Sequence, residues 1–219
     1  MKILIVAATK YEIDPTILQC ENTNYLMPNL IECKYKNTHL FFLITGVGMV
    51  ATAYYTGKIV DDTFDAAFNV GICGSFNQHL ELGTVVNVYE DVFSELGAES
   101  GTDFLSTDEL ALAATTKITN LKYGAINQIL ELLPKVNGIT VNTVHGNEAS
   151  INKVFDKFHP MVESMEGAAF MFVCENENIP YAQIRTVSNF VEVRNKDKWN
   201  IPLAIDNLNK KLIEIIDYF

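Results

Sequence analysis

Residues 2–8, KILIVAA, follow Lys2 with an unbroken apolar run and no polar alternation. That pattern predicts a parallel strand covered on both faces. Asp14-Pro15 then predicts a helix start, with Asp14 as N-cap, running to about Gln19. Leu30–Tyr35 and His39–Ile44 are two strand-like runs around Lys36-Asn37-Thr38, a predicted hairpin. The second runs into Thr45-Gly46-Val47-Gly48-Met49 and a helix over about Val50–Val60. Asp65–Val70 is a further strand, expected to end in a glycine turn over Gly71–Ser75. Gly83–Glu90 reads as a strand, Asp91–Asp103 as a loop, and Thr107-Asp108-Glu109 as the cap of a short helix through Ala114.

The second half is more regular. Gly138–Val144 is a predicted strand, and residues 150–158 a helix. From Met165 the chain places Ala168, Ala169, Phe172 and Val173 at the i, i+3, i+4, i+7, i+8 spacing of a buried helical face. Glu175–Asn178 and Pro180 end that helix. Tyr181–Val187 is a short strand, delivering Ser188-Asn189 to its end. Phe190–Asn200 is a polar loop. Leu203–Tyr218 closes the chain as an amphipathic helix, with apolar residues at 205, 208, 212, 215 and 216. Strands and helices alternate without repeat or linker over residues 1–219, so one α/β domain around a central mixed sheet is expected.

Composition narrows the function classes. The chain has 219 residues, 48% of them hydrophobic, ample for a large core. No apolar run reaches the roughly 18 residues of a membrane span, and the N-terminal run lacks the pattern of a signal peptide. The net charge of -11 argues against non-specific binding of nucleic acid or anionic membranes. Cys20, Cys33, Cys73 and Cys174 form no CxxC pair, as expected of reduced cytosolic thiols. The four histidines have no ligand spacing, so neither a metal nor another cofactor is expected.

Candidate chemistry gathers where strands end, which is where open α/β sheets bind ligands. Glu12 lies just past the first strand. By position alone it reads first as a solvated first-turn carboxylate, favoured by the helix dipole. Glu163 and Glu166 flank Met165, and Ser188-Asn189 ends the last strand. Gly46-Val47-Gly48 lacks the third glycine and the later acid of a dinucleotide site.

Four segments in this order, Ala7–Glu12, TGVGMVATA at 45–53, NVGICGS at 69–75 and ESMEGAA…IRTVSN at 163–189, resemble the purine nucleoside phosphorylase and nucleosidase superfamily. The resemblance covers nearly the whole chain. It implies a single α/β domain with a twisted, partly barrelled mixed sheet, assembled as a homodimer or larger. Phosphate-binding members carry arginines in the first loop and just before the second glycine segment. Here Thr9–Ile13 has no arginine, and Asn69 stands at the second position. Glu12 instead suits the hydrolytic branch, where a first-loop glutamate deprotonates the attacking water.

Adenine-cleaving members end the last core strand in Ser-Asp; this chain has Ser188-Asn189. An amide donates through NH2 and accepts through C=O. It can therefore satisfy O6 and a protonated N7 of a departing 6-oxopurine, which points to hypoxanthine as the leaving group. SMEGAAF, SNFVEVRNKDKW and IPLAIDNLN are similar to the futalosine-hydrolysing branch, which serves menaquinone biosynthesis. The resemblance further implies that Glu166 and Met165 hold the ribose, that Ile72 and Cys73 line the cleft with backbone groups, and that Ser188 supports Asn189. Arg185 is expected to orient a neighbouring carboxylate, Phe104 to close the pocket of a neighbouring subunit, and Arg194 to meet a substrate carboxylate. Three alternatives remain open: an adenine-releasing nucleosidase, a phosphate-dependent phosphorylase, and a nucleoside-binding protein without catalysis.

Overall fold

The computed structural model describes residues 1–112, 115–121, 126 and 128–219. Its frame is a ten-stranded mixed sheet. Strand β1, Lys2–Ala7, lies parallel to both β4, Thr38–Ile44, and β5, Ala66–Ser75. The predicted hairpin is present: β3, Leu30–Tyr35, pairs antiparallel with β4. An edge strand β2, Glu21–Met27, follows β3 outward. All its residues are exposed, so it carries no burial pattern for the sequence to show.

On the other side β5 pairs parallel with β12, Tyr181–Phe190. Next come β6, Val85–Phe93, then β10, Lys135–Thr140, then β11, Val162–Ser164. Strand β11 pairs with β10 and also with β5. These five strands therefore close on themselves, and the expected partly barrelled sheet is present. Strand β9, Lys117–Thr119, hangs on β6.

Alternation in β1 explains the layers. Ile3, Ile5 and Ala7 face one core, with Ile13, Leu208, Leu212 and Ile216. Leu4 and Val6 face the other, with Phe170, Met171 and Val173. The first face is covered by α6, Ile201–Asp217, whose apolar positions 205, 208, 212, 215 and 216 are all buried as the spacing predicts. The second is covered by α2, Met49–Ile59, and α5, Gly167–Asn176. After a single-turn helix α3, Ile129–Leu132, helix α4, Glu148–Phe158, is also as expected, capped by the Asn147 side chain accepting from Ala149 and Ser150 N–H. No helix among the described residues is long and apolar enough to cross a membrane.

Several local expectations are corrected. The N-cap of α1, Asp14–Ile17, is Ile13 rather than Asp14, and the helix is a single turn. Gly71–Ser75 is no turn; ladders to β12 and β11 carry β5 through it. Ser188-Asn189 likewise lies inside β12, at a register shift after Val187. The Asp91–Asp103 loop contains the end of β6 and a small hairpin, β7, Gly97–Ser100, with β8, Asp103–Ser106. Thr107–Ala111 is turn rather than helix, and positions 113 and 114 lie outside the described residues. Phe172 is 42% exposed, off the buried face of α5.

Candidate active site

Strand β1 stops at Ala7, while its neighbour β5 continues to Ser75 and β12 to Phe190. The chain leaving β1 folds over these protruding ends through a 3-10 turn, Lys10–Glu12, and lays Glu12 on β5. One carboxylate oxygen of Glu12 accepts from the Thr9 N–H at 2.9 Å and the Thr9 hydroxyl at 3.0 Å. The other accepts from the Ile72 N–H at 3.2 Å. The Thr9-x-x-Glu12 spacing of a capping box is the sequence signal for this local fold. Asn209 on α6 fastens the same turn. Its NH2 donates to the Glu12 carbonyl at 2.9 Å, and its oxygen accepts from the Thr16 N–H and hydroxyl at 3.1 and 2.6 Å.

Glu12 is buried, not solvated as its position alone suggested. Burial pushes its carboxyl above the ordinary glutamate range, and Glu166 adds to this. Arg185 and the Thr9 and Ile72 N–H groups oppose it. A carboxyl so placed is a better proton acceptor than a solvated one.

Arg185 is fully buried on β12, directly across from Gly71. A methyl at Gly71 would stand 2.4 Å from Arg185 Nη1 and 2.7 Å from Glu12 Oε1. The glycine is therefore required by close approach of the two charged groups over β5. Arg185 Nη1 also lies 3.7 Å from Glu166 Oε2. Arg185 Nη2 donates to Asn69 Oδ1, and the Asn69 amide in turn donates to the Val6 carbonyl at 3.0 Å. Glu166 sits just before α5 and accepts from the Gly48 N–H at 3.1 Å. The two glycine segments of the sequence thus meet the two carboxylates.

Asn189 lies on the same strand as Arg185, partly buried. The Ser188 hydroxyl stands 3.1 Å from the Cys73 carbonyl and 2.8 Å from Asn189 Oδ1. Its single proton serves one of these at a time. Asn189 Nδ2 donates to the Phe190 carbonyl at 3.1 Å. Met165 is half-buried between β11 and Glu166. Burial pushes the Cys73 thiol up to about 12, so it is no nucleophile.

Two expected residues stand apart from this group. Phe104, on β8, lies 6.1 Å from the ring of Phe158. It borders a cavity of about 750 Å³ between the β7–β8 hairpin and α4, which His145 also lines. Arg194 is exposed, with its guanidinium 5.1 Å over the Trp199 ring and its N–H on the Gly146 carbonyl.

Other polar residues escaped sequence reasoning. His145 Nδ1 is 2.6 Å from Glu163 Oε2 and its N–H 3.1 Å from Oε1, so Glu163 serves His145 rather than the Glu12 group. Gln183 Nε2 donates to Asp91 Oδ2 at 2.9 Å, and Arg185 Nε donates to Gln183 Oε1 at 3.1 Å. Polar residues at 183 and 185 in an otherwise apolar central strand were the available signal, since buried polar groups must be partnered.

The mixed sheet closes partly into a barrel and gathers two buried carboxylates and a buried arginine where β1 ends. The chain belongs to the phosphorylase superfamily, whose family model matches residues 2–217. A futalosine hydrolase of Thermus thermophilus is 27% identical over 190 residues, covering 83% of each chain. An aminodeoxyfutalosine nucleosidase of Campylobacter jejuni is 26% identical over 206 residues, covering 86% of each. Among solved structures, a methylthioadenosine/adenosylhomocysteine nucleosidase of Neisseria meningitidis with methylthio-immucillin-A superposes at TM-score 0.83 and 17% identity, covering 100% of this chain and 99% of that one. A futalosine hydrolase mutant of Helicobacter pylori does so at 0.85 and 15%, covering 100% of both. The solved structures speak to the fold. The curated relatives are hydrolases and nucleosidases, and the chain is an N-glycosyl hydrolase by class.

Proposed function

We propose that this protein hydrolyses the N-glycosidic bond of futalosine, releasing hypoxanthine. The observation that carries the hydrolytic part is the buried group over Gly71, in which Glu12, Arg185 and Glu166 converge. Glu12 orients and deprotonates a water molecule. Glu166, beside Met165, accepts from the ribose hydroxyls. As the bond to the base lengthens, the sugar carbon gains oxocarbenium character and the purine gains negative charge. A solvent water protonates N7 as the base departs, and Asn189 donates its NH2 to O6 and accepts from N7–H through its oxygen, while Ser188 turns its proton to the Cys73 carbonyl. Stabilising the departing base is the larger contribution. Ile72 and Cys73 supply backbone groups to the cleft.

A phosphorylase reading is opposed by Asn69. Its oxygen is engaged by Arg185, and an arginine there would set two buried cations against each other. The futalosine part rests on Asn189 and on the curated relative named a futalosine hydrolase. Phe104 and Arg194 stay in this reading as contacts to the bulky 5′ substituent, Phe104 from a neighbouring subunit of a homodimer or larger assembly.

The test is base release from futalosine, inosine and methylthioadenosine, followed by chromatography with and without phosphate. Hypoxanthine from futalosine, indifferent to phosphate, is expected. Adenine from methylthioadenosine instead would retain Glu12 and overturn the base assignment. Phosphate dependence would overturn hydrolysis.

A further inference from the structure

Behind the Glu12 group lies a buried chain of polar side chains that no step above uses. Asp91, at the end of β6, is 1% exposed. Its Oδ1 accepts from the Thr140 hydroxyl at 3.0 Å and the Val92 N–H at 2.8 Å. Its Oδ2 accepts from Gln183 Nε2 at 2.9 Å. Gln183 Oε1 then accepts from Arg185 Nε at 3.1 Å. The start of α5 is fitted around this chain. The Ala168 N–H donates to Thr140 Oγ1 at 2.7 Å. A methyl at Gly167 would stand 2.2 Å from Gln183 Oε1 and 2.3 Å from Asp91 Oδ2.

The direction of each bond follows from the end members. An ionised carboxylate only accepts, and a guanidinium only donates. The amide between them has one orientation that satisfies both, NH2 toward Asp91 and oxygen toward Arg185. We propose that Asp91 and Gln183 are positioning residues, which lock Arg185 so that it holds Glu12 and Glu166 in register for catalysis. This rests on the reading of Glu12 and Glu166 as the reacting carboxylates. Arg185 has five donors to place; Gln183 fixes Nε and Asn69 fixes Nη2, which aims Nη1 at the carboxylates. A shift of this clamp by about 1 Å costs on the order of a hundredfold in rate.

The test reverses the polarity of the chain and then restores it. In Asp91→Asn, the side-chain oxygen stays with Thr140 and Val92, and the new NH2 faces Gln183. The glutamine must then turn its own NH2 toward Arg185 Nε, donor against donor. Adding Gln183→Glu supplies an acceptor at both ends and returns the net charge to that of the parent. The full-length protein and both variants are compared by kcat, KM, thermal melting and crystal structure. D91N is expected to lose on the order of a hundredfold in kcat, with KM changed less than about threefold. D91N/Q183E is expected to recover most of that loss.

A D91N enzyme with the parent kcat, or a folded double variant no better than D91N, would overturn the proposal. If D91N does not fold, the double variant decides alone: folded and active supports the proposal, unfolded or inactive overturns it. The crystal structures separate this inference from the functional reading. Arg185 displaced in D91N and restored in the double variant supports the chain even if the parent cleaves none of the nucleosides tested, an outcome that would overturn only the function.

Discussion

Glu12 shows how one side chain acquires its chemistry. Two N–H groups and a hydroxyl hold its oxygens, burial raises its proton affinity, and Arg185 opposes that rise. Glu12→Gln keeps the shape and removes the base, so turnover should vanish while substrate binding, measured by calorimetry, changes little. Because the carboxyl titrates above the ordinary value of 4.5, and only its ionised form accepts a proton, kcat/KM should fall as pH drops through a point above 4.5. An acid limb at or below that value would remove Glu12 from the role. Asn189→Asp exchanges an amide donor for a carboxyl, and should move base release toward adenine nucleosides in a competition assay. Gly71→Ala drives a methyl into Arg185 and Glu12, and should lower kcat on the order of tenfold or more and also cost about 1–3 kcal/mol of stability by overpacking, read as a lower melting temperature.

At the scale of elements, the site depends on strands of unequal length and on one helix reaching back. Strands β5 and β12 outrun β1, which leaves Gly71, Ile72 and Arg185 exposed to the chain that folds over them. Helix α6 then pins that chain through Asn209, which stands among the buried positions 205, 208 and 212. All its hydrogen-bonding atoms that face the turn are used. Asn209→Ala would leave the Thr16 hydroxyl and the Glu12 carbonyl without these partners, for a loss of roughly 2–4 kcal/mol in urea unfolding. It should also lower kcat, since the turn carries Glu12. Leu212→Ala, one turn further along the same helix and with no hydrogen bond to the turn, should cost about 2–5 kcal/mol and affect kcat less than Asn209→Ala. Comparing the two separates support of the core from support of the site.

For the whole molecule, the surface predicts association. Helix α2 leaves Val50 82% and Tyr54 61% exposed, and Val47 just before it is 56% exposed. With the net charge at -11, a chain of this kind is not held together by general attraction, and apolar residues so displayed mark a specific contact. Light scattering is expected to give twice the chain mass or more. V50K/Y54E should return it to a single chain.

The layers, the hairpin, α5 and α6 were legible in the sequence because burial imposes periods on apolar residues. Positions 205, 208, 212, 215 and 216 could only be one face of a helix, and β1 could only be a strand covered twice. Glu12, Glu166 and Asn189 were legible as types at strand ends. Arg185 was expected beside a carboxylate, but the partners that hold Arg185 itself were not legible. Arg185 reaches Asn69 across 116 positions, and Gln183 reaches Asp91 across 92. Polar residues in an apolar strand signal a buried partner, but nothing local says which residue that partner is. Gly71 and Gly167 were equally ambiguous; a glycine that makes room and a glycine that makes a turn are the same letter. The sequence by itself determined which segments bury which faces, since the hydrophobic effect acts on each residue wherever it goes. Only the tertiary structure decided which charges meet, since hydrogen bonds and ion pairs depend on distances of a few ångströms that the closing of the sheet sets.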